Sequence, residues 1–147
     1  MLKKLLAATC LFALPAGFAV AESHSTEGEM EFEIVGDAEA GERVYRKCQA
    51  CHMVGEDAQN RVGPQQNGVL GRTVGAVEGF RYSDVLMEKN AEGVVWNPET
   101  LAAFLENPRE WAPGTKMSFA GLRKEEERND VIAYLATFNA DGTRTTE

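Results

Sequence analysis

Two cysteines and a histidine lie close together in the pentapeptide Cys48-Gln49-Ala50-Cys51-His52. Cysteines three positions apart project to the same side of a helical turn, so both thiols can add to the vinyl groups of one porphyrin. The next residue, His52, is then carried beneath the iron, where its imidazole can bind as the proximal ligand. The spacing therefore predicts covalent attachment of one haem through Cys48 and Cys51.

Three other kinds of site use the same residue types. A thioredoxin-like redox pair would follow a strand in a βαβ unit, and no such strand is visible in the sequence. A zinc site needs four ligands, and the only other histidine is His24, near the N-terminus. A structural disulfide would leave His52 unexplained. Haem attachment accounts for all three residues, and the alternatives remain for the structure to test.

An iron that exchanges electrons without binding small molecules needs a second axial ligand. Met53 adjoins His52 and cannot reach the opposite face of the haem. Met30 lies in an acidic N-terminal stretch, and Met87 lies among polar residues. Met117 follows a turn-forming Pro-Gly-Thr-Lys segment far along the chain, so elimination favours it as the distal ligand. The alternative is a methionine that fills a gap in the core.

The sequence predicts three helices, over residues 37–48, 97–107 and 124–138. The first begins at Asp37, a good N-cap, and the second begins at an Asn-Pro pair with Pro98 at the first helical position. Apolar residues recur in them at spacings of three and four. Acidic residues open the third helix, where the helix dipole favours negative charge.

Residues 55–95 are rich in glycine and show no sustained periodicity, so they are predicted to form a long irregular region. A compact domain rarely tolerates such a region unless something else supplies part of the core. No repeat and no convincing strand is visible elsewhere. The sequence therefore predicts a small all-α domain whose helices and long loops wrap one covalently bound haem, burying its apolar faces.

The N-terminus has the three regions of a secretory signal peptide over residues 1–21. Lys3 and Lys4 are followed by an uncharged run over residues 5–20 and by a small-x-small cleavage pattern that ends at Ala21. The run is shorter than the roughly 20 residues needed to span a bilayer, so a membrane anchor is not expected. Cleavage after Ala21 would deliver the protein to the periplasm.

The rest of the chain is predicted to divide into an acidic mobile arm over residues 22–35, a folded domain over 36–139 and a polar C-terminal tail over 140–147. The formal net charge is -8, with 23 acidic and 15 basic residues. Nucleic acid is therefore excluded as a partner, because binding a phosphate backbone needs an excess of Lys and Arg.

With these motifs, residues 36–138 resemble the class I c-type cytochromes, and among them the bacterial cytochrome c2 and c550 group. The motifs that carry the resemblance lie before, after and far from the pentapeptide. They are Gly36-Asp37, Gly41, Gly63-Pro64, Gly71-Arg72, Pro113-Gly114-Thr115-Lys116-Met117, Glu127-Arg128 and Tyr134. The resemblance implies the small cytochrome c fold, in which Gly41 and Tyr134 mark the crossing of the first and last helices.

The resemblance also implies a role for each site residue. Cys48 and Cys51 would form the thioether links to one haem c, with His52 and Met117 as the axial ligands of its iron. The Pro64 carbonyl would accept a hydrogen bond from the other nitrogen of His52 and fix the orientation of its ring. Four further residues match positions that hold the haem propionates, namely Arg72, Tyr82, Trp96 and Thr115.

The function implied is that of a soluble periplasmic one-electron carrier and not an enzyme. It would be a monomer that takes electrons from a membrane quinol-oxidising cytochrome bc complex. The acceptor would be a photosynthetic reaction centre, an oxidase or a reductase. Basic residues around the haem edge would dock these partners, namely Lys47, Arg61, Arg109, Lys116, Arg123 and Lys124. If Met117 does not bind iron, the alternative is an open-site haem sensor or a peroxidase-like protein.

Phe104 and the pair Gln65-Gln66 depart from the pattern of these cytochromes. Phe104 occupies a position usually held by a tyrosine that donates a hydrogen bond to the methionine sulfur, so the reduction potential is expected to differ. The pair Gln65-Gln66 replaces a segment that usually includes an apolar residue near the haem.

Overall fold

The protein is described by a computed structural model that covers residues 31–145. Within these residues five helices follow one another: α1 (Ala38–Tyr45), α2 (Asp84–Ala91), α3 (Pro98–Glu106), α4 (Pro108–Trp111) and α5 (Glu125–Ala136). Across these residues, β pairing is confined to isolated bridges at Thr73–Val95 and Phe138–Arg144. The predicted all-α architecture is therefore confirmed. The predicted signal peptide and most of the acidic arm lie outside the described residues.

A capped start and a close helix crossing hold α1 in place. The Asp37 carboxylate accepts hydrogen bonds from the backbone N–H groups of Glu39 and Ala40, at 2.8 and 3.0 Å, as the sequence predicts for an N-cap. The Asp37 N–H donates to the Asp130 carboxylate of α5 at 2.8 Å. These contacts tie the beginning of α1 to the last helix, 93 positions away in the sequence.

The α1–α5 crossing depends on a glycine. Gly41 is buried, and a Cβ atom placed there would overlap the Asp130 carbonyl and lie 2.8 Å from the Cβ of Tyr134. One turn later, the Tyr45 and Tyr134 rings pack with their centroids 5.3 Å apart. The absence of a side chain at Gly41 lets the two backbones approach. The crossing fixes the position of the end of α1, and the pentapeptide follows directly from it.

The α3 helix begins and ends where the sequence predicts. The Asn97 side chain accepts a hydrogen bond from the Thr100 N–H at 2.8 Å, and the Thr100 hydroxyl accepts one from the Asn97 N–H at 2.9 Å, forming a capping box. The helix ends before Pro108, which begins the short helix α4. Three aromatic rings of this region, Trp96, Phe104 and Trp111, lie 5.2–5.4 Å apart by their centroids.

The prediction that residues 55–95 contain no helix is wrong, because α2 lies within that region. Its apolar residues are contiguous, so they show no helical periodicity along the sequence. Burial of Leu86 and a hydrogen bond from the Asn90 side chain to the Val74 carbonyl, at 2.7 Å, hold α2 against the neighbouring loop. Both contacts are formed with residues outside the helix.

The end of the chain folds back onto α5. The Thr145 N–H donates to the Thr137 carbonyl at 2.9 Å, and the Arg144 guanidinium lies 5.2 Å from the centroid of the Phe138 ring. Gly142 packs against the backbone at Gly55. The described part of the predicted polar tail is thus a packed turn. None of the helices within residues 31–145 is long and apolar enough to cross a membrane.

We expect Gly41→Ala to lower the free energy of unfolding by about 1–3 kcal/mol, because the added methyl group would overlap the α5 backbone. In an ordinary helix interior the same change stabilises by roughly 0.5–1 kcal/mol. Denaturant unfolding followed by circular dichroism would measure the difference, with Glu42→Ala on the exposed face of α1 as the control. A Gly41→Ala protein as stable as the wild type would contradict the crossing.

Candidate functional site

The pentapeptide continues the helical path of α1 as a turn. The Cys51 and His52 N–H groups both donate to the Cys48 carbonyl, at 3.0 Å. Cys48 and Cys51 are half-buried, and they are not joined to each other. The two thiols thus lie free on one short turn that leads directly into His52, and the structural disulfide is not formed.

The Cys48 thiol also lacks a property expected of a redox pair. Burial raises the pKa of the Cys48 thiol to about 11, although Lys47 acts in the opposite direction. The attacking cysteine of a thioredoxin-like site has a pKa lowered towards neutrality, because the thiolate is the nucleophile. Cys48 is therefore protonated at neutral pH and unsuited to thiol–disulfide exchange. Zinc would need ligands that residues 31–145 do not bring together.

His52 is buried, and its ring has one fixed partner. Its Nδ1 atom lies 2.7 Å from the Pro64 carbonyl oxygen, which can only accept, so Nδ1 carries the proton. The other ring nitrogen, Nε2, is then unprotonated and has a lone pair for a metal. Burial lowers the pKa of His52, which favours the neutral imidazole. A Cβ at Gly63 would lie 2.6 Å from Nδ1, so glycine makes room for the ring.

Arg72 supplies a positive charge without a carboxylate partner. Its guanidinium donates to the carbonyls of Asn67 and Gln65, at 2.8 and 3.2 Å. No carboxylate of the described residues lies within ion-pair distance of it. The Arg72 carbonyl accepts from the Trp96 N–H at 2.9 Å, so these two predicted propionate residues are neighbours. A half-buried cation of this kind fits a carboxylate supplied by a cofactor.

Tyr82 and the residue after it, Ser83, carry two further polar groups. The Tyr82 hydroxyl accepts a hydrogen bond from the Val77 N–H at 3.3 Å. Burial raises the pKa of Tyr82, and the nearby Arg72 guanidinium partly opposes this. Ser83 is an N-cap residue of α2, but its buried hydroxyl does not cap the helix and has no partner within the described chain. Sequence reasoning missed Ser83, because an N-cap serine normally uses its hydroxyl locally.

The segment 113–117, which contains the predicted distal ligand Met117, is hydrogen-bonded to Tyr82. Gly114 adopts a left-handed conformation with φ of 95°, which turns the chain before Thr115. The Thr115 hydroxyl accepts from the Met117 N–H at 3.2 Å, and the Lys116 ammonium donates to the Tyr82 carbonyl at 2.9 Å. Met117 is half-buried against the hydrophobic core. The fold thus places Thr115 and Met117 on a segment anchored beside Tyr82.

These features together fit a covalently attached haem. The free thiols match thioether formation, and the unprotonated Nε2 of His52 matches an axial ligand. The unpaired Arg72 cation and the idle Ser83 hydroxyl match a group that brings its own carboxylates. Phe104 contributes no hydroxyl to the core, as the sequence shows.

Known proteins provide an independent comparison. No family model matches the chain. The chain is similar to cytochrome c-550 of Ancylobacter novellus, with 57% identity over 104 residues that cover 71% of this chain and 97% of that protein. It is also similar to cytochrome c2 of Afifella marina, with 52% identity over 103 residues that cover 70% of this chain and 83% of the relative.

A solved structure agrees with these relatives. The structure of cytochrome c2 from Rhodospirillum centenum superposes with a TM-score of 0.66 and 42% identity, over 71% of this chain and 99% of that chain. The resemblance inferred from the sequence motifs is thereby confirmed. The protein belongs to the class I c-type cytochromes of the cytochrome c2 and c-550 group, and it is an electron-transfer protein, not an enzyme, that carries haem c on the Cys48-x-x-Cys51-His52 motif.

Proposed function

We propose that this cytochrome is a soluble periplasmic one-electron carrier whose haem iron is ligated by His52 and Met117. The observation that carries the proposal is the hydrogen bond of 2.7 Å between His52 Nδ1 and the Pro64 carbonyl. It holds the ring in one orientation and leaves Nε2 as the His52 nitrogen that can bind the iron. Met117 is supported as the distal ligand by its half-buried position on a segment anchored through Lys116.

The haem supplies a one-electron couple between Fe(II) and Fe(III), and the surrounding residues of the chain would set its reduction potential. The Pro64 carbonyl makes the His52 imidazole a stronger donor, which favours the ferric state. The Met117 thioether and the exclusion of water favour the ferrous state, because oxidation adds a positive charge to a poorly solvated site. If His52 and Met117 both hold the iron, no ligand position would be left for a substrate.

The haem propionates would be held by Arg72, Tyr82, Trp96 and Thr115, as the resemblance implies. We add Ser83 to this group, because its buried hydroxyl has no other partner within residues 31–145. These groups would neutralise and solvate carboxylates that are otherwise costly to bury.

The export route and the redox partners also belong to the proposal. A signal peptide over residues 1–21, cleaved after Ala21, would deliver the arm 22–35, the cytochrome domain 36–139 and the tail 140–147 to the periplasm. The donor would be a membrane quinol-oxidising cytochrome bc complex. The acceptor would be a reaction centre, an oxidase or a reductase.

The basic residues proposed for docking differ in how free they are. Lys47 is paired with Glu127 at 2.8 Å, and Lys116 is bonded to a backbone carbonyl. Exposed Arg109, Arg123 and Lys124 form no ion pair with the described residues. These three are therefore the most available for contact with an acidic partner.

We expect the purified holoprotein to be low-spin, with a sulfur-to-iron charge-transfer band in the near infrared and a single one-electron wave at positive potential. Met117→Leu should remove the band and lower the potential, since the thioether is lost. Met87→Leu changes an exposed methionine and should leave both unchanged. A redox-titrated visible and near-infrared spectrum measures both properties.

A high-spin wild-type spectrum with ready carbon monoxide binding would contradict ligation by Met117. The open-site sensor or peroxidase-like function would then replace the electron carrier. A wild-type spectrum identical to that of Met117→Leu would lead to the same conclusion.

We expect Phe104→Tyr to raise the reduction potential. A new hydroxyl donating to the Met117 sulfur would weaken its donation to ferric iron. A net hydrogen bond of about 0.5–1.5 kcal/mol corresponds to about 20–65 mV for one electron. Phe138→Tyr adds the same hydroxyl beside Tyr134 and serves as the control in protein-film voltammetry. An unshifted potential in Phe104→Tyr would show that position 104 does not face the sulfur.

We expect Lys124→Glu to slow oxidation by hexacyanoferrate(III), an anionic oxidant, by about two- to fivefold at low ionic strength. The difference should shrink as salt screens the charge. Arg43→Glu makes the same change of charge on α1, outside the proposed docking set. Equal slowing in both variants, measured by stopped-flow absorbance, would mean that net charge and not a basic docking surface controls the encounter.

A further inference from the structure

Gln66 carries a buried polar group that the proposed function does not use. Its amide oxygen, Oε1, is inaccessible to solvent and has no hydrogen-bond partner within residues 31–145. An unsatisfied buried acceptor costs about 1–3 kcal/mol, so native proteins contain few of them. An apolar side chain of similar size at this position would avoid that cost. The amide therefore calls for an explanation other than stability.

The segment around Gln66 is hydrogen-bonded to both His52 and Arg72. The Pro64 carbonyl accepts from His52, while the carbonyls of Gln65 and Asn67 accept from the Arg72 guanidinium. Gln66 lies between these acceptors. Its own N–H donates at 2.9 Å to the carbonyl of Met53, the residue after His52. The backbone of Gln66 is thus fixed on the proximal side of the site.

The amide oxygen of Gln66 does not face the groove that borders this segment. Gln65 and Asn67 line an outer groove of about 760 Å³ that Leu135 and Phe138 also border. Gln66 does not line this groove, although it lies between two residues that do. Because the amide oxygen is also shielded from water, it is directed into the protein, although the Gln66 side chain as a whole is half-buried.

We propose that Gln66 lowers the reduction potential of the haem by presenting its buried amide oxygen to the interior on the His52 side. Oxidation adds one positive charge to the iron. The negative end of an amide dipole stabilises that charge, and it does so more strongly in a poorly solvated interior than in water. Gln66 is therefore a positioning residue for charge, which acts on the haem without ligating it.

This inference depends on the proposed haem-linked electron carrier, and the measurements separate the two. Gln66→Leu should shift the equilibrium of electron exchange with a reference couple about two- to tenfold towards the reduced protein, which is roughly 18–59 mV for one electron. Gln66→Glu should shift it in the opposite direction, because a carboxylate replaces the dipole. Gln59→Leu, the same change at an exposed glutamine of the preceding loop, should leave it unchanged.

The spectrum reports the proposed function, and the difference in potential reports Gln66. If the wild type and the Gln66 variants share a low-spin spectrum but Gln66→Leu has the wild-type or a lower potential, the inference is overturned and the electron carrier stands. A purely structural role would change the unfolding midpoint without this shift. If Gln66→Leu does not incorporate haem, Gln66→Met is measured instead, because it keeps the length of the side chain and lacks the amide. It should raise the reduction potential in the same way, and an unchanged potential would overturn the inference.

Discussion

The hydrogen bond from His52 to the Pro64 carbonyl is the contact on which the site depends. It selects the ring tautomer, orients the imidazole and brings the segment 63–67 against it, which Gly63 permits by having no side chain. The same segment receives the Arg72 guanidinium at two of its carbonyls. A loop without regular structure is thereby held between His52, the proposed axial ligand, and Arg72, the charge proposed for the propionates. Its polar contacts, and not regular secondary structure, hold His52 and Arg72 in position.

The features that the sequence predicted correctly are those produced by local interactions. Asp37 and Asn97 cap helices through hydrogen bonds to residues two or three positions away. The spacing of the two cysteines and the histidine in the pentapeptide is enough to predict haem attachment. The α2 helix escaped prediction because it is held by Leu86 and Asn90, whose contacts lie outside the helix. The same limit applied to the docking residues, since the sequence counts charges but does not show that Lys47 is paired with Glu127.

Ser83 shows a different limit of sequence reasoning. A serine before a helix is ordinarily a cap, and nothing local distinguishes one that is not. Only the folded chain shows that this hydroxyl is buried and idle, at the residue after Tyr82. Arg72 is similar, because an arginine in a loop is usually solvated, whereas this one is half-buried without a carboxylate. In both cases the signal is an unmet requirement for a partner, which becomes visible only in three dimensions.

Unmet polar requirements have consequences for folding as well as for function. Arg72 and Ser83 make the chain less stable by itself, and a bound haem would relieve both, so attachment of the cofactor and formation of the native structure should be coupled. Gln66 differs, because its unsatisfied atom is an acceptor, and haem carboxylates offer acceptors and no donor. Haem binding therefore does not relieve the cost at Gln66. A group that stays costly in the complete protein is better explained by its effect on the charge of the iron than by packing.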